Sequence, residues 1–170
     1  MNPNLSITKK TYYALGMVGV ACGMTSALSA LVLGQSMAAL DSVSFGLIGM
    51  MLLLLAAVKG QPGKLKSRYF LCFVLLLLSM LNQNPLIHAL LGAGVWPLLM
   101  HTEAKVGPDL GRQLRAVALS EVLYLAAWVL ASGPLTLLQT AANLLGFVRL
   151  VARAWASYSL YRAQLADPDR

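Results

Sequence analysis

Hydrophobic residues are arranged along this chain in six long runs separated by short polar links. The runs cover approximately residues 12–33, 43–58, 69–82, 85–100, 116–132 and 135–155. A helix that crosses a bilayer needs about 20 mainly apolar residues, and a shorter run can extend into its flanking turns. The pattern predicts an all-α integral membrane protein with one domain, residues 1–170, built as a bundle of six transmembrane helices.

The polar links are short enough to produce three tight helical hairpins. Residues 82–85 separate the third and fourth runs, and residues 132–134 separate the fifth and sixth. Asn84 is a good N-cap because its side-chain oxygen can accept a free backbone N–H, and Pro85 suits the first turn of a new helix. A single long helix through residues 71–100 is rejected because it would have to continue unbroken through Pro85.

The basic residues indicate how the six crossings are oriented. All thirteen Lys and Arg lie in, or next to, the links on one side of the predicted bundle. The links on the other side, near Asp41, Asn84 and Gly133, carry none. Lys and Arg concentrate in cytoplasmic loops. We therefore expect a multi-pass protein of the cytoplasmic (inner) membrane with both termini in the cytoplasm and the lipid bilayer as its surroundings.

Composition supports this environment and removes several other classes. Hydrophobic residues make up 58% of the 170 residues and charged residues 11%, with a mean hydropathy of +0.70, which is too apolar for a soluble domain. The formal net charge of +7 is explained by the cytoplasmic links, so we expect no nucleic-acid partner. No catalytic motif and no Cys/His cluster with metal-ligand spacing is present in the sequence, so we expect neither an enzyme nor a metal or cofactor.

The first run has two features of its own. A basic start followed by an apolar run also describes a signal peptide, but the run continues past Ser29, so we expect it to remain as a crossing helix. Gly16, Gly19 and Gly23 share one face of this run and allow another helix to approach closely. We favour packing against a helix of the same chain. The alternative is a docking face for a second copy or for a partner in a membrane complex.

One acidic residue lies inside an apolar run. An unpaired carboxylate is costly in a membrane, so Glu121 in the fifth run needs a partner. Arg149 and Arg153, in the second half of the sixth run, are at a similar predicted depth. We expect Glu121 to pair with Arg149 first and with Arg153 second. The pair either locks the last hairpin or acts as a gate, and its depth near the inner side favours the structural role. Glu103, beyond the fourth run, is expected to be solvated.

Uncharged polar side chains lie in apolar runs near the predicted outer side. His88 begins the fourth run, and Gln139 and Asn143 begin the sixth, one turn apart on one face. Polar groups within a membrane turn towards the bundle interior. The three residues could therefore line an outward-facing pocket for a neutral or zwitterionic ligand. The alternative is that they only hydrogen-bond the fourth and sixth helices together.

Two functions fit this pattern, and a six-helix outline does not choose between them. The first is a small-solute permease, or the membrane subunit of a transporter, that uses the outer pocket. The second is a non-catalytic assembly or scaffolding subunit that holds its partners through the glycine face and the basic links. We favour transport slightly.

Overall fold

The computed structural model describes most of the chain, and all of its regular structure is helical. The described residues are 4–35, 37–82, 84–103, 108–130 and 136–166. They form six α-helices and no β-strand. The helices are α1 (Asn4–Leu33), α2 (Ala38–Ala57), α3 (Gly63–Leu81), α4 (Pro85–Glu103), α5 (Pro108–Leu130) and α6 (Thr136–Ala166). The predicted all-α class is confirmed.

Local sequence signals account for several helix boundaries. Gly34 after α1 and Gly60 after α2 have φ values of 68° and 85°, a left-handed conformation that glycine adopts without a steric penalty. The side-chain oxygen of Asn84 accepts hydrogen bonds from the backbone N–H of Leu86 at 3.0 Å and of Ile87 at 3.3 Å. Asn84 is therefore the N-cap of α4, as its position before a proline predicts.

Most helices are longer than the apolar runs that predict them. α1 and α5 each begin eight residues before their runs at 12–33 and 116–132, and α6 continues past residue 155 to Ala166. The additional turns contain charged and polar residues, among them Lys, Gln and Arg, which favour helix without being apolar. Hydrophobic pattern therefore finds the apolar part of each helix and misses its polar extension.

The six helices close into a ring. Each helix packs against its neighbours in sequence, and α6 packs against α1. Neighbouring helices run antiparallel, as two contacts illustrate. Gly16 lies against Met51 while Gly23 lies against Ser44, and Lys10 at the start of α1 lies over the ring of Tyr161 near the end of α6. The ring brings the three predicted hairpins side by side, and the first and last of them meet.

The alternating helix directions sort the charges between the two ends of the ring. One end, which we call the basic end, carries Lys9, Lys10, Lys59, Lys64, Lys66, Arg68, Arg112, Arg115 and Arg162. The opposite end, which we call the far end, is formed by the residues around Gly34, Asp41 and Asn84. Among the described residues, the only Lys or Arg away from the basic end are Arg149 and Arg153, inside α6.

The glycine face of α1 is used inside the molecule. A Cβ atom on Gly19 would lie 3.1 Å from the backbone oxygen of Ser44, and one on Gly23 would lie 2.8 Å from the Ser44 Oγ. A Cβ on Gly16 would overlap the Met51 side chain. These glycines therefore let α1 and α2 approach closely, and α2 covers the face that a partner would need.

The apolar core lies in the half of the ring nearer the basic end. Its largest fully buried apolar and aromatic side chains include Tyr13, Met51, Leu55, Tyr69, Leu99 and Met100. Closer to the far end the same ring is less completely filled. A cavity lies in this less completely filled half.

Three of the helices are long and apolar enough to cross a membrane: Lys9–Leu33, Ala38–Ala57 and Gly111–Leu130. The other three contain more polar residues, such as Lys64 at the start of α3 and the two arginines of α6. All six helices nevertheless expose large apolar side chains on the outside of the ring, for example Val18, Met50, Leu78, Leu90, Val122 and Val148. So much exposed apolar surface is unusual on a soluble monomer and is consistent with a membrane protein.

Candidate functional site

A cavity of about 340 Å³ lies between the helices and is lined by residues from all six of them. Small-molecule sites in proteins have volumes of about 300–1,000 Å³. Most of its lining is apolar or small, and includes Val20, Ala27, Phe45, Leu76, Ala89 and Leu150. The charged lining side chains are Asp41, Arg149 and Arg153, and His88 also faces the cavity. An apolar space with a few converging polar groups has the character of a binding site.

Arg153 is firmly held by the protein. Its Nε donates a hydrogen bond of 2.6 Å to Oε1 of Glu121, and its Nη2 lies 3.4 Å from the backbone oxygen of Gly92. The guanidinium carbon is 5.8 Å from the centre of the Trp96 ring, a cation–π distance. Arg153 therefore joins α6 to both α4 and α5.

Arg149 shares the same carboxylate but is held more loosely. Its Nη1 is 3.6 Å from Oε2 of Glu121, which is too long for a strong hydrogen bond. Its guanidinium carbon stacks 3.8 Å from the centre of the Tyr124 ring. The Nε atom is buried and has no hydrogen-bond partner. Arg149 thus keeps unused hydrogen-bonding capacity at the wall of the cavity.

The structure brings together the three residues that the sequence proposes as an intramembrane pair or gate. Glu121, Arg149 and Arg153 form one cluster, in which two cations face one carboxylate. The order of preference is the reverse of that expected, because Arg153 makes the short hydrogen bond and Arg149 stacks on an aromatic ring. Tyr124 is not among the sequence-based candidates, although it lies three residues beyond Glu121 on α5 and therefore on the same side of that helix.

His88 lines the cavity and also ties two helices together. Its Nδ1 donates to the backbone oxygen of Ser79 at 2.6 Å, and the Ser79 hydroxyl donates to the backbone oxygen of His88 at 2.9 Å. The imidazole meets the ring of Phe45 edge-on, with 6.0 Å between the ring centres. Because its Nδ1 bonds within the protein, His88 links α3 to α4 and presents the rest of its ring to the cavity.

Gln139 and Asn143 are not brought to His88. Both side chains are exposed, while the neighbouring Ala142 is buried. Asn143 instead lines a second cavity, of about 430 Å³, bounded by α1, α5 and α6. The predicted grouping of the three residues assumes a rotation of α6 that faces α4, whereas α6 packs mainly against α1 and α5.

The two cavities have part of their walls in common. Ala27, Ala30, Tyr124, Arg149 and Leu150 line both of them. Arg149 is therefore reached from the centre of the ring and from the groove between α1 and α6. The small side chains Ala27 and Ala30 leave this groove unfilled.

Asp41 is a further cavity residue that the sequence marks only as part of a polar link. It lies in the first turn of α2 and lines the central cavity towards the far end. Among the described residues, its carboxylate makes no ion pair and no side-chain hydrogen bond. The only signal for it in the sequence is that no Lys or Arg lies nearby to pair with it.

A second buried carboxylate lies at the basic end, away from the cavity. Glu103 is 2% exposed and accepts a hydrogen bond from the hydroxyl of Tyr69. Burial raises the pKa of Glu103 above its usual value, while the charge of Lys9 and an interaction with Tyr13 act in the opposite direction. The expectation that Glu103 is solvated is wrong, because α4 continues past residue 100 and carries this side chain back into the core.

The fold and the site define a class: an all-helical ring of six helices, at least three of them suited to a membrane, around a cavity with charged walls. Within the described ranges, no group of three or more His, Cys, Asp or Glu could hold a metal ion. No family model, curated protein or solved structure matches the chain significantly.

Proposed function

We propose that all six helices cross the bilayer, with the basic end in the cytoplasm and the protein in the inner membrane. The apolar side chains exposed on every helix support this arrangement. α3, at 19 residues, is about 29 Å long, close to the thickness of the hydrocarbon core. The lysines at the start of α3 would reach the headgroups, and the arginines of α6 would face the interior, as intramembrane charges do.

We propose further that this bundle is a small-solute permease, or the membrane subunit of a transporter, with its solute site in the central cavity. The single observation that carries the proposal is a cavity lined by all six helices and by three charged side chains. Ionisable residues within a membrane bundle usually mark a substrate or ion pathway. The cavity therefore replaces the pocket of His88, Gln139 and Asn143 as the proposed site, and only His88 is retained.

A proline lies next to the cavity inside one of its helices. Pro97 lies inside α4, where it has no N–H to donate to the carbonyl of Ala93. The missing bond locally weakens α4, which nevertheless continues as one helix through this position. Pro97 directly follows Trp96, which lines the cavity.

The assembly or scaffolding alternative has less support. It depends partly on the glycine face of α1 as a surface for partners. Gly16, Gly19 and Gly23 lie against α2, so this face is occupied within the chain. The basic end could still bind partners, but basic cytoplasmic links are common in membrane proteins and do not identify such a role.

The proposal is tested by the chemical accessibility of the cavity wall. In a background without Cys22 and Cys72, single cysteines replace Ala27, which lines the cavity, and Leu28, which is 50% exposed on the outside of the same helix. The reagent is a water-soluble methanethiosulfonate applied to isolated membranes. We expect Ala27→Cys to react and Leu28→Cys to be protected, because a lipid-facing thiol rarely ionises.

Two results would contradict the proposal. If Leu28→Cys reacts as fast as Ala27→Cys, the outside of α1 is in water and not in lipid. If neither cysteine reacts while an exposed control at Gln35 does, no aqueous path reaches the cavity and it cannot serve a solute.

A further inference from the structure

We propose that the central cavity recognises a small zwitterion, with the anionic group of the solute on Arg149 and its amine facing Asp41. This inference rests on the proposed function and names the class of its solute. It follows from how the charges around the cavity are used within the protein.

Arg149 is the cation that remains available to a ligand. Arg153 uses its Nε on Glu121 and directs an Nη towards Gly92, whereas Arg149 has a buried Nε without a partner and only a 3.6 Å contact to the same carboxylate. The ring of Tyr124 holds the Arg149 guanidinium from one side. A guanidinium fixed in this way can offer two parallel N–H groups to a carboxylate or another oxyanion.

Asp41 is the anion that remains available. It faces the cavity from α2, and no described residue forms an ion pair with it. Phe45, one turn further along α2, contacts His88 on α4, so Asp41 lies about one turn closer to the far end than this contact. Arg149 and Asp41 thus approach the same cavity from different helices.

The balance of these charges selects the class of solute. Glu121 neutralises Arg153, which leaves one positive and one negative side chain facing an otherwise apolar or small lining. Leaving a charge unpaired in such surroundings is costly. A simple anion would leave Asp41 unpaired, and a simple cation would leave the second positive charge beside Glu121 uncompensated. A zwitterion pairs both.

The test compares zwitterions with analogues that lack one charge. Purified full-length protein in detergent is heated with glycine, β-alanine, 4-aminobutyrate or 6-aminohexanoate, and with butyrate, butylamine or butyramide at equal concentrations. A ligand that binds only the folded protein raises the melting temperature as its concentration rises. We expect one amino acid of this series to stabilise more than all three analogues, and its chain length reports the separation of the two charged groups.

Single substitutions test which side chain binds each charged group of the amino acid. Arg149→Gln should weaken binding of the preferred amino acid about tenfold or more, since it removes a charge-assisted contact. Asp41→Asn should weaken the amino acid similarly and leave butyrate unchanged or tighter. Arg112→Gln, at an exposed position of the basic end, is the matched control and should change neither. The melting temperature without ligand checks that each variant is folded.

Several outcomes would overturn the inference. Butyrate or butyramide stabilising as well as the best amino acid would show that the amine is not recognised, and an unchanged ligand response in folded Asp41→Asn would show the same. No stabilisation by any compound also overturns it. If Ala27→Cys still reacts from water in that case, the cavity remains a solute site and only its class is wrong. If Ala27→Cys is unreactive as well, the proposed function fails.

Discussion

Two glutamates are buried equally in this molecule and are used in different ways. Glu103 and Glu121 are each 2% exposed. Glu103 lies in the packed core at the basic end, where the hydroxyl of Tyr69 donates to it. Glu121 lies beside a cavity and faces two arginines, of which only Arg153 bonds to it closely. Among the described residues, Glu103 and Tyr69 do not line the central cavity, whereas both arginines that face Glu121 do, and Arg149 keeps unused hydrogen-bonding capacity there.

Under the proposed function, this difference separates a carboxylate that stabilises the fold from one that belongs to the solute site. Burial alone does not distinguish the two roles, because both glutamates are buried. Glu103 joins α4 to α3 through the hydrogen bond from Tyr69, and we expect it to contribute to the stability of the fold. Around Glu121 two arginines face one carboxylate, and Arg149 also lines the central cavity. This excess of positive charge next to a cavity is the feature on which the proposed solute site depends.

The largest expected effect comes from neutralising each glutamate. Glu121→Gln leaves two partly buried arginines without a counter-charge, and the cost of about 3–5 kcal/mol for breaking a fully buried pair sets the upper value. Glu103→Gln should cost much less, because its amide oxygen can still accept from Tyr69 and its surroundings favour the neutral form. Thermal unfolding in detergent measures both. Adding Arg153→Met to Glu121→Gln should recover part of the loss, and equal losses for the two single variants would remove the distinction between them.

A smaller effect should separate the two arginines. Arg153→Gln removes a charge-assisted hydrogen bond, which contributes about 1.5–3 kcal/mol. Arg149→Gln removes mainly the contact with Tyr124, for which about 0.5–2 kcal/mol is typical. The melting temperature of Arg149→Gln should therefore be closer to that of the wild type than the melting temperature of Arg153→Gln is. Thermal unfolding of the two variants tests this. If Arg149→Gln is the less stable variant, Arg149 is the structural partner of Glu121, and its availability to a solute is refuted.

The smallest expected effect is the pH dependence of the contribution that Glu103 makes to the stability of the fold. Glu103 lies beyond the predicted crossing 85–100, and burial raises its pKa above the usual 4.5. A carboxyl whose pKa is raised in the folded protein contributes stability that is complete below the unfolded pKa and is lost as the pH rises through the folded pKa. The melting temperature of wild type minus that of Glu103→Gln should therefore decrease from about pH 4 upwards. An increase over this range would mean that ionised Glu103 is the favoured form.

The sequence predicts the features of the molecule that depend only on position along a helix. An apolar run predicts a helix, and a charge inside such a run predicts a partner at similar depth, so the cluster of Glu121, Arg149 and Arg153 could be anticipated. The order of pairing could not, because it depends on Tyr124 supporting one guanidinium. The rotation of α6, which turns Asn143 away from His88, is decided by packing against α1 and is not visible in the hydrophobic pattern.

Other parts depend on contacts between distant segments. Asp41 is an ordinary link residue in sequence, and only the closing of the ring brings it to the same cavity as Arg149. The burial of Glu103 follows from an extension of α4 that is polar and lies outside the apolar run. Residues 132–134, part of the predicted third outer turn, lie outside the described residues.

The central claim is that all six helices cross the membrane. Single cysteines at Gln35 and Gln139 test the far end, and single cysteines at Gly63 and Arg162 test the basic end; all four positions are exposed. In the cysteine-free background, intact cells are treated with a membrane-impermeant maleimide. We expect labelling at Gln35 and Gln139, and labelling at Gly63 and Arg162 only after the membrane is permeabilised. If the cysteine that replaces Arg162 is labelled from outside, or the cysteine that replaces Gln139 is not, α6 does not cross the membrane as proposed. The proposed membrane-enclosed cavity is then contradicted as well.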